Sequence, residues 1–532
     1  MDDLYTHAED KINEKSFTIV KANKVTITND ISDINKLCTN LMKAKLIKKL
    51  DFTAYLSVDS LEPVFNLLKY LPYLQELSFD YIDAHGFQRL TEVLTQSTFS
   101  ILKLHSFEQL KGVRNFSYGL MNTTSLKVLS INAHFGCYDE FSALILAVAK
   151  SRSITDLNLT SYAMKIVAAD LRELVSSSKL KYLAMGGINC APNNEDQITE
   201  GLISASILES LTWSTMPTEE LTRALFDGIK LNTSLKTLDL STIRNPTQIC
   251  DVLKVNRTLT DVQIMGDYVP MDVYCEILVQ NKSLKRLQVP LAASERYDST
   301  NISNSLKVNK TITSLQLDNL IFRPYGIFIN SLLMNQSLTE LDIHAQELSL
   351  DEYRMLYTAL KEDSHLQRLT FGDFVELPAE VFSEFADVIQ TNRVLRYVYV
   401  YGRGMSIDAA KKICQALKEN DTLTILHHWW RHQIQLEDDN ILQDMLTVNR
   451  SLTELNFFFD TDCRSVCSKN KEYQSTMITN TIVIIHNLAR SRSAFDTFPR
   501  EVWIEIFTRL RYPGTSYFGD VAKKIFDGYG TK

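Results

Sequence analysis

The chain has 532 residues with 56 Lys and Arg against 64 Asp and Glu, a formal charge of -8 that argues against a general nucleic-acid binder, since phosphate affinity needs surplus cations on one face. Its eight cysteines, at 38, 137, 190, 250, 275, 414, 463 and 467, are too sparse for a disulfide scaffold. Cys463 and Cys467 form a lone CxxxC with no second pair at zinc-ligand spacing, so neither metal nor cofactor is expected.

In chain order, residues 1–46 are read as an N-terminal cap. Met1 to Ser16 is polar and acidic, unlike a signal peptide, which makes the cytoplasm or the nucleus the default compartment. Ala22, Val25 and Ile27 predict an edge strand. From Ile47 an apolar triplet of the form LxxLxL then recurs: Ile47, Leu50 and Phe52, through Leu126, Leu129 and Ile131, Leu235, Leu238 and Leu240, and Leu338, Leu341 and Ile343, to Leu452, Leu455 and Phe457. The first residues of these triplets fall at 47, 74, 99, 126, 154, 180, 208, 235, 259, 284, 312, 338, 366, 395, 423 and 452, at intervals of 24 to 29 residues. Each triplet predicts a short strand with alternate leucines inward, and one such row is buried only by stacking on its neighbours. Between triplets the pattern becomes helical: Ala409, Ala410, Ile413 and Leu417 follow Ser406, Leu221, Leu225 and Ile229 follow Pro217, and Tyr353, Leu356 and Leu360 follow Ser349.

The period and pattern resemble the ribonuclease-inhibitor-like leucine-rich repeats. The resemblance covers about residues 20 to 460 and implies an α/β solenoid over 47–460, parallel strands on the concave face and helices on the convex face. The asparagine or cysteine usual just past the last strand leucine is mostly absent, with Ile243, Leu320, Gln346 and Phe374 near that place, so irregular strand-to-helix turns are expected.

Asn232, Asn256, Asn281, Asn309, Asn335, Asn420 and Asn449 stand in N-x-S/T sequons, each three residues before a triplet. That phase lock predicts a structural role, in which each asparagine ends the helix through a left-handed backbone conformation that this residue type tolerates. Positions two, four and six past each anchor face the concave side. They gather Tyr397, Tyr399, Tyr401, His427, Trp429 and Phe458 into one aromatic patch, a candidate surface for a protein substrate; the competing reading is internal packing or cover by the C-terminal segment. His427 and His428 alternate to opposite faces, which disfavours a shared metal. Asp239, Asp261, Asp318, Glu340 and Asp342, with Arg286 and Arg368 among them, form an acidic strip that could steer a basic partner. No phosphate loop, zinc-protease motif or nucleophile elbow is present, and the chain is not expected to be an enzyme.

Residues 461–497 read as a capping helix and linker. Their apolar stretch, Met477 to Ala489, carries Asn480, His486 and Asn487 and is too short to cross a bilayer. The helical tail, 498–532, opens Phe498, Pro499, Arg500, Glu501, Val502 and continues through Trp503, Ile506, Phe507 and Leu510. Pro499 suits a first helical position, Glu501 the first turn, and Val502, Ile506 and Leu510 form one stripe beside a second of Trp503 and Phe507. The segment resembles the opening of an F-box with Phe498 in place of its leucine. That resemblance implies a substrate-recruiting adaptor of a cullin-type ubiquitin ligase, docked to a Skp-type linker protein through Phe498, Pro499, Val502, Ile506, Phe507 and Leu510. The same short motif occurs at Leu377 to Phe382, inside a repeat, and only 22 residues follow Leu510. The alternatives are a scaffold, inhibitor or effector that binds a protein without ubiquitin, and a GTPase-activating protein like that of Ran, whose catalytic asparagine has no place here.

Overall fold

The computed structural model describes residues 17–19, 24–27, 38, 41 and 47–456, the last span with breaks at 54–57, 83, 111–112, 136, 191–193, 215–218, 244–246, 290–295, 318–320, 345–347, 363–364, 404 and 430–438. The chain divides into two compact units, Met1–Ala292 and Ala293–Lys532.

In the first unit the strands are β1 (Phe17–Ile19), β2 (Lys24–Ile27), β3 (Lys49–Phe52), β4 (Glu76–Phe79), β5 (Ile101–Leu110), β6 (Val128–Phe135), β7 (Asp156–Ile166), β8 (Tyr182–Cys190), β9 (Ser210–Trp213), β10 (Thr237–Ile243), β11 (Asp261–Gly266) and β12 (Arg286–Gln288). Helices α1 (Val58–Leu68), α2 (Ala84–Gln96), α3 (Val113–Asn122), α4 (Tyr138–Lys150), α5 (Ala168–Val175), α6 (Asp196–Ser204), α7 (Glu219–Leu231), α8 (Thr247–Val255) and α9 (Met271–Gln280) return the chain between β3 and β12. From β2 onward every neighbouring pair is parallel, and the ladder aligns the middle residue of each triplet: Leu50, Leu77, Leu102, Leu129, Leu157, Leu183, Leu211, Leu238, Val262 and Leu287. The second unit repeats the device. It contains β13 (Arg296–Asp298), β14 (Ser314–Gln316), β15 (Ile321–Arg323), β16 (Glu340–His344), β17 (Arg368–Glu376), β18 (Tyr397–Arg403), β19 (Ile425–Trp429) and β20 (Glu454–Asn456). Its helices are α10 (Ser299–Val308), α11 (Tyr325–Met334), α12 (Leu350–Glu362), α13 (Ala379–Thr391), α14 (Ile407–Glu419) and α15 (Asp439–Val448). Leu315, Leu341, Leu369, Val398, Leu426 and Leu455 stand in register.

Each unit is therefore a leucine-rich-repeat solenoid of the α/β class. All sixteen triplet anchors from Ile47 to Leu452 are buried, none more than 5% exposed. Each aliphatic side chain so removed from water contributes about 1.5–3 kcal/mol, which is why the triplet cannot drift out of phase. Strands spaced about 4.8 Å apart beside helices about 10 Å wide put the sheet on the inner side of each unit and the helices on the outer.

Local features depart from a uniform repeat. β2 forms where Val25 and Ile27 predict it, but β1 pairs antiparallel outside it, so β2 is not the edge. Ladder register shifts after Ser106, Thr160, Leu240 and Gly372 as strands run on past the triplet; of the places where irregular turns are expected, Ile243 and Phe374 lie within β10 and β17, and Leu320 and Gln346 lie outside the described residues. A second parallel pair, β13 with β15, forms ahead of α10 and α11.

The sequon asparagines require a correction, because they do not adopt a left-handed conformation. At Asn281, Asn309, Asn335 and Asn420 the φ angles are -77, -73, -86 and -88°, with extended ψ. The work is done by the side-chain amide. Asn256 Nδ2 donates to the carbonyls of Ile229 at 2.9 Å and Asn232 at 3.2 Å, one repeat earlier, while its Oδ1 accepts the amides of Thr258 and Leu259, both at 2.9 Å. Asn281, Asn335, Asn420 and Asn449 reach back in the same way, to Asn256, Asn309, Asn392 and Asn420 respectively. The hydroxyl two residues on donates to the same Oδ1, from Thr258 at 3.2 Å and from Ser337 at 2.9 Å. At these places the N-x-S/T spelling is a hydrogen-bond signature, whereas after Asn309 the Thr311 hydroxyl is buried without a hydrogen-bond partner. Asn392 holds the same place without a hydroxyl partner, followed by Val394, and sequon reading misses it. The seven sequon asparagines that share this phase are 1–3% exposed, leaving no room for a glycan at these positions, whereas Asn115, Asn122, Asn158 and Asn301 stand in sequons out of phase and are exposed.

Candidate functional site

Alternation along β18 buries Val398 and Val400 completely and leaves Tyr397, Tyr399 and Tyr401 half-buried on the strand side. The parallel ladder then sets Tyr399 opposite His427 and Tyr401 opposite Trp429, with Arg368, Thr370 and Gly372 on the other flank. The row is bound into two short chains of contacts. The Arg368 guanidinium lies over the Tyr397 ring, 4.5 Å from its centroid, and its Nε stands 3.7 Å from a Glu340 carboxylate oxygen. The Tyr399 ring meets the His427 imidazole edge to face at 5.0 Å, and His427 Nε2 lies 3.5 Å from a Glu454 oxygen.

Gly372 is the position that lets this row close up. Its φ is +111°, and a Cβ there would stand 1.9 Å from the Tyr401 carbonyl oxygen, so only glycine allows the two strands to approach beside Tyr401. A glycine standing six residues past its anchor, where the neighbouring repeat has Tyr401, is the sequence signal for this close approach.

His428 takes the other face. Its Nε2 lies 2.7 Å from the Gly402 carbonyl and its ring packs edge to face on Phe382 of α13 at 5.5 Å. Burial pushes its pKa below the ordinary imidazole value, only partly offset by that hydrogen bond. The imidazole is therefore neutral, with Nε2 donating to the carbonyl. His427 and His428 do not share a ligand-binding space, and among the described residues no group of His, Cys, Asp and Glu is gathered that could hold a metal ion.

The rest of the expected surface divides. Asp239 and Asp261 belong to the first unit, Glu340 and Asp342 to the second, and Asp318 lies outside the described residues. At the start of the first unit the strand side is self-paired. Lys24 meets Asp51 at 2.9 Å, while Lys49 and Lys103 both hold Glu76, at 2.8 and 2.7 Å. Burial alone would raise the Glu76 carboxyl, but the hydrogen bonds from the two lysines outweigh it and hold its pKa below the usual value. The Trp429 side chain, Phe458 and the whole tail segment Phe498, Pro499, Val502, Ile506, Phe507 and Leu510 lie outside the described residues. Leu377 and Phe382, from the second occurrence of the tail motif, are repeat core, 5% and 0% exposed at the start of α13. Cys250 and Cys414 are buried thiols outside any disulfide, each pushed up to about 12 by burial, which makes them inert packing. Among the described residues no helix is long and apolar enough to cross a membrane.

No family model and no curated protein matches the sequence. Among solved structures the chain is similar to one described as the crystal structure of the Rad7 and Elc1 complex in yeast, with 16% identity and a TM-score of 0.38, over 70% of this chain and 88% of that one.

Proposed function

We propose that this chain is a protein-interaction module that captures a protein on the aromatic row of β18 and β19, and that it serves as a substrate-recruiting adaptor of a cullin-type ubiquitin ligase. The observation that supports capture is the row itself. Three tyrosines and an imidazole stand half-buried on the strand side, and cross-strand contacts hold Tyr397, Tyr399 and His427 there. Aromatic side chains fixed in this way supply contact area at small entropic cost and dominate the energetics of interfaces. The adaptor reading adds the F-box-like segment from Phe498 to Leu510, whose apolar stripes would dock a Skp-type linker protein and through it the cullin. Such a chain needs no catalytic group of its own.

The burial of Leu377 and Phe382 as repeat core supports a second reading, in which the tail motif is likewise ordinary packing and the chain is a scaffold, inhibitor or effector without ubiquitin. A pull-down separates the two. The full chain and a form ending at Ser493 are compared for recovery of the linker protein and cullin; both are recovered only with the tail if the adaptor reading holds, and with neither form if it fails. For the patch, Tyr399→Ala with Trp429→Ala abolishes capture of the main partner while the melting temperature moves by less than about 3 °C. Loss of the partner with a large loss of stability would return the patch to internal packing.

A further inference from the structure

The aromatic row carries a chemical preference that goes beyond its capacity to bind. Arg368 already lies across the Tyr397 ring, so this row accepts a guanidinium at 4.5 Å from a tyrosine centroid. The carboxylates outnumber the cations: among the described residues two and four places past the anchors of β16 to β20, Glu340, Asp342 and Glu454 stand against Arg368 alone, and His427 beside Glu454 adds charge only when protonated. Farther along the same strands Glu376 and Arg403 are matched in register and cancel. Finally, Tyr397, Tyr399 and Tyr401 alternate along one strand, which spaces them about 6.8 Å apart, the interval between same-side residues of any extended chain.

Resting on the protein-capture reading above, we infer that the segment recognised is an extended stretch bearing arginine or lysine at alternate positions. Its cations lie against the rings of Tyr399 and Tyr401, and its flanks meet Glu454 on one side and Glu340 with Asp342 on the other. Ring faces attract cations through their quadrupole, and the surplus carboxylates add a longer-range attraction. The same carboxylates repel acidic peptides and nucleic-acid phosphates.

The test uses the full chain and labelled peptides of about a dozen residues: alternating Arg and Ser, the same peptide with citrulline for arginine, and the same with glutamate. Citrulline keeps the shape and much of the hydrogen bonding of arginine and removes the charge. The arginine peptide binds at least about tenfold tighter than the other two, a gap that narrows in high salt. Tyr399→Leu with Glu454→Gln removes the preference, Tyr399→Phe keeps it because the ring face remains, and Asp239→Asn with Asp261→Asn in the first unit leaves it unchanged. Equal binding of the arginine and citrulline peptides, no binding of any peptide, or equal loss from the first-unit pair overturns the inference. If the arginine peptide fails while Tyr399→Ala with Trp429→Ala still abolishes partner capture, the binding reading stands and only the chemical class is wrong. If that variant also captures the partner normally, both fall.

Discussion

At the scale of single residues, the asparagine that precedes the triplets from Leu235 onward, Leu366 excepted, shows how a local pattern can be visible while its cause is not. The phase of Asn232, Asn256 and their successors was legible, because a residue that returns at one place in half of the repeats must serve the repeat. The mechanism was not, because it depends on backbone carbonyls a whole repeat away: Leu253 and Asn256 for Asn281, Leu417 and Asn420 for Asn449. Replacing Asn256 with Ala strands two carbonyls and two amides in a site 3% exposed. The expected cost is about 3 kcal/mol, readable as a fall in the denaturation midpoint; a change under about 1 kcal/mol would mean that water replaces the amide. His428 supplies a pH-dependent prediction of defined sign. Its folded pKa lies below the ordinary 6.5, so the unfolded chain takes up the proton first. Its contribution to stability is complete above pH 6.5 and is lost as pH falls through the folded value. Between about pH 7 and pH 5 the wild type should lose more stability than His428→Gln, whose amide can still donate to Gly402; identical pH profiles would show that His428 is not the titrating group.

At the scale of elements, strands were far more legible than the turns that follow them. A strand here is a triplet whose middle leucine must meet the middle leucine of its neighbour, and register fixed by burial can be read from spacing alone. Leu238 and Leu341 are 0% and 2% exposed in that shared row, so an Asp at either place puts a carboxylate among leucines of two adjacent repeats. Each substitution should cost at least about 4 kcal/mol, with loss of the cooperative transition in the unit that carries it. Retention of the wild-type melting curve by both would refute the register. Helix starts were partly legible through their caps: Ser406 accepts from the Ala409 amide at 3.2 Å, and Ser349 and Glu352 form a reciprocal box with the Ser349 amide bonded to the Glu352 carboxylate at 2.9 Å. What spacing could not convey was how far each strand runs on. β7 continues to Ile166 and β17 to Glu376 past a register shift, and both depend on how the neighbouring backbone bends. The candidate patch shares this division. The three tyrosines follow from alternation, whereas Arg368 over Tyr397 and the glycine contact beside Tyr401 arise only when separate repeats are brought side by side.

At the scale of the whole molecule, the proposed roles fall on two stretches of chain that share no repeat: capture on β18 and β19, and linkage on the segment beyond Phe498. A repeat array tolerates such separation because each repeat is stabilised by its immediate neighbours, so a surface change in one place is not transmitted through a common core. The two functions should therefore be separable by mutation. Pro499→Ala with Ile506→Asp removes an apolar contact worth about 1.5–3 kcal/mol and sets a charge in its place, enough to carry a micromolar complex beyond detection. That variant should lose the Skp-type linker protein and keep the captured partner, whereas Tyr399→Ala with Trp429→Ala should lose the partner and keep the linker protein. The reciprocal pattern is the decisive result, because general unfolding would abolish both and a tail that merely caps the array would abolish neither. Purified wild-type chain that binds no Skp-type linker protein ends the adaptor reading, and the patch variant then tests capture by itself.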